Sequence, residues 1–99
     1  MKTEIIEQND LITVNLEGEF DTAAAAEVDE MFRALIEKDK DIDVECAKLE
    51  YIASSGLRIL LAILKRTKAA GHKLTLRNLN GDIMSVFKMT GFVDLFDIQ

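Results

Sequence analysis

The stretch YIASSGLRILLAILKR, residues Tyr51–Arg66, decides the fold because it passes from a strand directly into a helix. Its first residues favour β-structure, whereas leucine and isoleucine recur at helical spacing after residue 56. Ser54, Ser55 and Gly56 stand at the change. Serine is a good helix N-cap, so the pair could do no more than begin the helix. The question is whether one of the hydroxyls has a further role.

The helix that follows has two apolar sides. At 100° per residue, four leucines share one face and are expected to pack on the sheet: Leu57, Leu60, Leu61 and Leu64. Three more apolar residues point largely elsewhere: Ile59, Ala62 and Ile63. Another helix could cover these three, or they could form an exposed apolar patch beside the serines, which would mark a protein-binding surface. The helical pattern leaves both possibilities open.

The segments before this stretch predict a hairpin, a helix and a strand. Residues 3–7 and 11–17 are β-rich and flank a turn, which is typical of an antiparallel hairpin. Asp21 or Thr22 is expected to cap a helix that runs to about residue 37. The segment IDVECA, residues 42–47, predicts a short strand in which Cys46 is a small core residue.

The segments after it complete an alternating pattern. HKLTLRN, residues 72–78, predicts a fourth strand, and Asn80 or Asp82 is expected to begin a helix that ends at Gly91. FVDLFDI closes the chain with a short last strand. The order β-β-α-β-α-β-α-(β) indicates an α/β fold with one small mixed sheet, an N-terminal antiparallel hairpin, parallel βα units and three helices. We expect residues 1–99 to form a single domain.

This topology brings two loops to one edge of the sheet. GEFDT, residues 18–22, follows the second strand, and YIASSG follows the third. Loops after the carboxyl ends of parallel strands gather along one edge, where binding usually occurs. Asp21 and Ser54 are therefore expected to lie within reach of one partner.

Composition narrows the class of protein. The chain has 99 residues and a formal net charge of −6. Nucleic-acid binders usually need a basic footprint, so a protein partner is favoured over direct nucleic-acid binding. No apolar run approaches the ~20 residues of a membrane helix, and the N-terminus lacks the apolar core of a signal peptide. We expect a cytoplasmic chain without membrane insertion. One Cys and one His make neither a disulfide nor a metal cluster, and no cofactor is expected.

A serine at a strand-to-helix turn is also typical of a hydrolase nucleophile elbow. That motif needs Gly-x-Ser-x-Gly and a histidine base. Here Ala53 directly precedes the serine pair, and the only histidine, His72, follows a helix of ~16 residues that is about 24 Å long. We therefore expect the chain not to be an enzyme.

Three segments together resemble the STAS domain, as found in bacterial anti-sigma factor antagonists. YIASSGLRILLAILKRTKAAGHKL is similar to the family signature, which has an aromatic and an aliphatic residue, Asp or Ser, Ser, then Ser, Thr or Ala, and Gly-Leu. GEFDTAAAAEV resembles the Gly-Glu-Leu-Asp opening of the first helix, and FKMTGFVDLFDI resembles the Met-Thr-Gly-Leu ending. The similarity covers nearly the whole chain in the right order.

The resemblance implies a STAS fold and a phosphorylation switch. In this family the unphosphorylated antagonist binds an anti-sigma factor, a serine kinase with a histidine-kinase-like ATPase fold, and thereby frees a sigma factor. The kinase phosphorylates the first serine of the pair, here Ser54, which ends the interaction, and a PP2C-type phosphatase restores it. The partner-binding surface is then expected to comprise Asp21, Thr22, Ala53, Ser54, Ser55, Gly56, Leu57, Arg58, Ile59, Ala62 and Ile63.

The chain departs from the family pattern at the residue before the acceptor serine. Many family members carry Asp immediately before the acceptor serine and others carry Ser, whereas this chain has Ala53. The change removes a negative charge from the loop and bears on which kinase recognises it.

Other STAS proteins are non-catalytic scaffolds of stress-signalling complexes or regulatory subunits of ABC lipid-transport systems, and the sequence leaves this alternative open.

Overall fold

Five strands and three helices follow one another in the predicted order in the computed structural model, which describes residues 1–99. The elements are β1 (Lys2–Glu7), β2 (Leu11–Phe20), α1 (Thr22–Ile36), β3 (Asp41–Ile52), α2 (Ser54–Ala69), β4 (Leu74–Arg77), α3 (Gly81–Thr90) and β5 (Asp97–Ile98), with a 3₁₀ turn at Phe92–Asp94. The predicted α/β class is confirmed. No helix combines the length and the apolar character needed to cross a membrane.

The strands form one mixed sheet in the order β1-β2-β3-β4-β5. β1 is antiparallel to β2, and the remaining neighbours are parallel. Because every parallel connection steps in the same direction, connections of the usual right hand place all three helices on one face. Alternate residues such as Ile12, Val14 and Ile42 are buried beneath the helices, whereas Thr13 and Asp43 on the other face are partly exposed. The core therefore lies between the sheet and a single layer of helices.

β3 is longer than its sequence predicts. The expected short strand over residues 42–47 is wrong, because β3 continues to Ile52. Its pairing with β2 shifts register between Asn15 and Glu17 and again between Gly18 and Glu19. These irregularities let both strands continue beyond the alternating segment, with Leu49 and Ile52 buried. The extension carries the end of β3 to the start of α2.

Two of the three helices begin at side-chain caps. The Asp21 carboxylate accepts a hydrogen bond from the Ala24 N–H at 3.0 Å, and the Asn80 side chain accepts one from the Ile83 N–H at 2.8 Å. Both residues are among the caps predicted from sequence. Gly91 ends α3 in the left-handed conformation, which glycine adopts without strain.

Cys46 is fully buried in the core, as predicted. Burial is the main cause that raises the pKa of its thiol to about 12. The thiol is therefore protonated at neutral pH and is not a reactive nucleophile.

Candidate functional site

β2 and β3 end side by side at one edge of the sheet. Phe20 pairs with Ile52, and the Ala53 N–H donates to the Phe20 carbonyl oxygen at 2.9 Å. The loop that holds Asp21 therefore meets the loop that holds Ser54, as the parallel topology predicts. The two loops form one continuous edge.

Ser54 is the first residue of α2 and not its cap. The N-cap is Ala53, whose methyl group makes no side-chain hydrogen bond to the helix. The possibility that a serine caps this helix is excluded, because Ser54 already belongs to the helix. Its side chain is exposed, and its hydroxyl has no hydrogen-bond partner within the chain. The first-turn N–H groups of a helix lack intrahelical acceptors, so this end of α2 presents free donors and a positive dipole end.

Ser55 lies in a different environment from its neighbour. Its residue is half-buried, and its hydroxyl oxygen lies 3.0 Å from the hydroxyl oxygen of Thr22. This hydrogen bond joins the first turn of α1 to the first turn of α2. Ser55 therefore connects the two helices, whereas Ser54 faces solvent.

Gly56 sets how closely α2 approaches the sheet. A Cβ atom at this position would lie 2.9 Å from the Phe20 carbonyl oxygen and 2.9 Å from the side chains of both Phe20 and Ile52. Contacts this short do not occur between relaxed atoms. Glycine is therefore required here by close packing, and that packing fixes where Ser54 stands above the ends of β2 and β3.

The eleven residues predicted to bind a partner differ in how far they are buried. Five of them form a continuous region, which we name the Ser54 surface: Asp21, Thr22, Ala53, Ser54 and Ser55. Arg58 is exposed one turn further along α2, while Ile59 and Ala62 are half-buried. Their part in binding stays a prediction.

Burial contradicts the predicted contact role of three residues. Gly56, Leu57 and Ile63 are buried, and Ile63 is 0% exposed. Of the two possibilities that the sequence left open, an exposed patch is excluded for Ile63, because its side chain belongs to the buried core. Direct docking of a partner on Ile63 is therefore wrong, as is the idea of an open apolar patch that includes it.

An ion pair holds α1 against this side of α2. The Asp29 carboxylate of α1 accepts from Arg66 of α2 at 2.7 Å and from Arg33 of its own helix at 3.0 Å. The hydrogen bond from Arg66, followed by that from Arg33, lowers the pKa of Asp29. The pair explains why the side of α2 that carries Arg66 is a helix–helix contact and not a free surface.

Sequence reasoning missed exposed residues next to the Ser54 surface. Tyr51 is 51% exposed and pairs across the two strands with Glu19, which is also exposed. Glu50 is exposed as well. The strand was predicted to end at residue 47, so the directions of these side chains could not be assigned. The spacing of the apolar residues Leu49 and Ile52 was the available signal.

The capping role of Asp21 gives a test of this geometry. Asp21→Ala is expected to lower the free energy of unfolding by about 0.5–2 kcal/mol, because the Ala24 N–H loses its acceptor. Ser54→Ala is the matched control, with a change within about 0.5 kcal/mol, because an exposed hydroxyl without a partner is removed. Urea denaturation measures both variants. Equal losses in the two would contradict the assignment of caps.

His72 lies past the C-terminal end of α2, opposite to Ser54. Its Nε2 atom lies 2.7 Å from Asp39 Oδ1, and its Nδ1 atom lies 3.2 Å from Asp41 Oδ1. Asp41 also accepts from the Lys73 N–H at 3.0 Å. The imidazole therefore ties the loop before β3 to the start of β4, about one helix length from the serines.

The stabilisation that His72 provides is expected to decrease as the pH rises. The hydrogen bond that the His72 imidazole donates to Asp39 is the main cause that raises the pKa of His72; burial opposes this effect, and Asp41 adds to it. Because the folded-state pKa exceeds the unfolded value of about 6.5, the contribution is complete below that pH and is lost as the pH rises through the folded pKa. Thermal unfolding of the wild type and His72→Gln between about pH 5.5 and about pH 9 measures it. A Tm difference that stays constant over this range would contradict the mechanism.

Known proteins resemble this chain in sequence. A family model described as the STAS domain matches residues 2–99. The anti-sigma-B factor antagonist of Bacillus subtilis strain 168 is 33% identical over 92 residues, which cover 93% of this chain and 84% of that protein.

Solved structures share the fold. The anti-sigma factor antagonist SpoIIAA in its unphosphorylated form gives a TM-score of 0.78 at 17% identity, over 99% of this chain and 87% of that chain. The Bacillus cell fate determinant SpoIIAA in the phosphorylated form gives a TM-score of 0.77 at 18% identity, over 99% of this chain and 91% of that chain. The resemblance seen in the sequence is thereby confirmed, and this chain belongs to the STAS domain family.

Proposed function

We propose that the chain is an anti-sigma factor antagonist whose Ser54 surface binds an anti-sigma factor and thereby frees a sigma factor. Two findings support this proposal: membership of the STAS family, and a relative at 33% identity that is named an anti-sigma-B factor antagonist. The observation that carries the site is the exposed, unpartnered hydroxyl of Ser54 at the uncapped start of α2. Sigma factors act in the cytoplasm, so the proposal places the chain there.

Phosphorylation of Ser54 is proposed to end the interaction. A kinase needs a hydroxyl that can reach its active site, and the Ser54 hydroxyl is exposed and free, whereas the Ser55 hydroxyl is bonded to Thr22. SpoIIAA has been solved in unphosphorylated and phosphorylated forms, and this chain resembles the two about equally, with TM-scores of 0.78 and 0.77. The similarity supports a fold that accommodates either state.

The physical effect of the phosphate is local. A phosphoryl group adds about −1.5 to −2 charges at a residue that shares one edge of the sheet with Asp21. The free N–H groups of α2 and its dipole tolerate that charge within the chain. A partner that had fitted a small hydroxyl would instead meet a bulky dianion. Binding is thus lost by repulsion and desolvation, and no large change of fold is needed.

The proposed partners follow from this chemistry. The anti-sigma factor would itself be the serine kinase, with a histidine-kinase-like ATPase fold, and a PP2C-type phosphatase would restore the free hydroxyl. The chain would act by binding and not by catalysis. In support, His72, which alone could serve as a histidine base, is engaged by Asp39 and Asp41 beyond the other end of α2.

Displacement of a sigma factor tests the proposed function. The unmodified chain, added to a preformed complex of a sigma factor and its anti-sigma kinase from the same organism, is expected to release the sigma factor on gel filtration. Ser54→Ala serves as the positive control, because it keeps a small side chain and cannot be phosphorylated. A chain that binds none of the anti-sigma kinases of its organism would contradict the proposal.

A further inference from the structure

β1 is an edge strand of the sheet, and its outer side has no partner within the chain. It pairs with β2 alone, in an uninterrupted register, and all six of its residues are exposed. The strand contains no proline and no bulge, which are two of the devices by which natural edge strands avoid pairing. Its outer side therefore offers a row of unpaired backbone groups to another strand.

The hairpin register shows which backbone groups point outward. The Gln8 N–H donates to the Leu11 carbonyl oxygen at 2.8 Å. In an antiparallel pair, hydrogen-bonded and non-hydrogen-bonded positions alternate, so even-numbered residues of β1 bond to β2. The N–H and C=O groups of Thr3, Ile5 and Glu7 are therefore directed away from the sheet.

The side chains at this edge are incompletely covered by α1. Ile5 is directly opposite the buried Val14, so its side chain lies on the helix side, yet it remains 44% exposed. Met1 is 41% exposed, and a shallow cleft beside it is lined by Val28 and Met31 of α1. Apolar surface thus continues from the edge strand towards the first helix.

We propose that β1 pairs antiparallel with β1 of a second copy, centred on Ile5, to form one continuous sheet across the dimer. Residues opposite each other in an antiparallel pair lie on the same face, so a symmetric register must pair residues of equal parity. Centring on Ile5 sets Ile5 against Ile5, Thr3 against Glu7 and Glu4 against Ile6. All outward-directed groups of the three odd-numbered residues are then used.

Charge disfavours one of the two neighbouring registers. A pairing centred on Glu4 would set two glutamates directly against each other, which is unfavourable. In the proposed register no like charges are opposed. Glu7 is already held by Lys38 at 3.0 Å and Lys40 at 2.7 Å, and Glu4 accepts from Asn15 at 2.9 Å. The acidic residues of β1 therefore have partners within the chain and can lie near the interface.

The dimer leaves the Ser54 surface free. A two-fold axis perpendicular to the sheet reverses the strand direction between copies, so the carboxyl ends of β2 in the two copies point in opposite directions. Each copy would present its own Ser54 surface at an opposite end of the dimer. Dimerisation and binding of the anti-sigma factor are therefore expected to be independent. A small strand interface between two chains of net charge −6 is expected to be weak.

Sedimentation equilibrium of the full chain from about 10 μM to about 1 mM tests the proposal. The mean mass is expected to rise from 11.1 kDa towards twice that value. Ile5→Lys is expected to raise the dissociation constant at least about tenfold. Ile6→Lys is the matched control, with no weakening, because Ile6 is as exposed as Ile5 but would face Glu4 of the second copy.

A second variant separates loss of pairing from loss of folding. Ile5→Pro removes an N–H that β2 does not use, so the chain should keep its circular dichroism spectrum and remain a monomer. Hydrogen exchange at the Ile5 amide should also slow with increasing concentration of the wild type. A chain that stays monomeric at the highest concentration, or a dimer unchanged by both Ile5 variants, would overturn the proposal.

Discussion

Ser54→Glu is expected to weaken binding of the anti-sigma factor kinase at least about 100-fold, which corresponds to about 2.8 kcal/mol. The substitution sets a permanent negative charge at the exposed start of α2, at the edge of the sheet that also carries Asp21. A partner surface that fits a hydroxyl would have to desolvate that charge and accommodate a longer side chain. Titration calorimetry with the unmodified kinase measures the dissociation constants.

Two controls make this measurement specific. Ser54→Ala is expected to bind within about threefold of the wild type, because it removes neither packing nor a hydrogen bond. Ser85→Glu introduces the same charge at another exposed serine, on α3, and is expected to bind normally. Wild-type affinity for Ser54→Glu, or an equal loss in Ser85→Glu, would show that the Ser54 surface is not the site of contact.

Gly56→Ala is expected to destabilise the fold by about 1–3 kcal/mol, because the new methyl group meets a backbone oxygen that cannot move aside. The Cβ would lie 2.9 Å from the Phe20 carbonyl oxygen, which also accepts the hydrogen bond from Ala53. For a domain of this size, the loss corresponds to a fall in Tm of at least about 4 °C. Differential scanning calorimetry measures the change.

Gly81→Ala is the matched control for this helix-start glycine. Gly81 is the first residue of α3, and a Cβ there would have no neighbour within 4 Å. This variant is expected to keep the wild-type Tm or to raise it slightly, because alanine reduces the conformational freedom of the unfolded chain. Equal Tm values for both variants would contradict the account of close packing at Gly56.

The alternation of elements was readable from the sequence because each signal is local. Asp21, Asn80 and Gly91 act through their own side chain or backbone within one turn of the helix that they delimit. The meeting of Asp21 with Ser54 also followed, because it depends only on β2 and β3 being parallel neighbours. Such inferences need the order of the elements and no detail of their packing.

The predictions that failed concern features that depend on contacts between elements distant in sequence. The length of β3 depends on register shifts against β2, which the residues of β3 do not encode by themselves. Ile63 is buried in the core, and the helical pattern of α2 alone could not distinguish burial at this position from an open face. Residue preference made Ser54 a candidate cap of α2, but Ser54 is already the first residue of the helix, and the cap is the preceding residue, Ala53.

Ala53, unlike most N-cap residues, has no side-chain acceptor for the first-turn N–H groups of α2. An Asp or Ser at the N-cap would accept hydrogen bonds from the first-turn N–H groups of α2. The methyl group of Ala53 leaves those donors free, so they are available to a phosphate on Ser54. The departure from the common family pattern is therefore compatible with phosphorylation at Ser54, although it changes the loop that a kinase would recognise.

The most direct test of the central claim is the intact mass of the chain after incubation with its anti-sigma kinase and ATP, with the modified residue mapped by fragmentation. The account predicts a single phosphoryl group on Ser54 of the wild type and none on Ser54→Ala. Phosphate on Ser55 alone, or no phosphate on any serine, would contradict it.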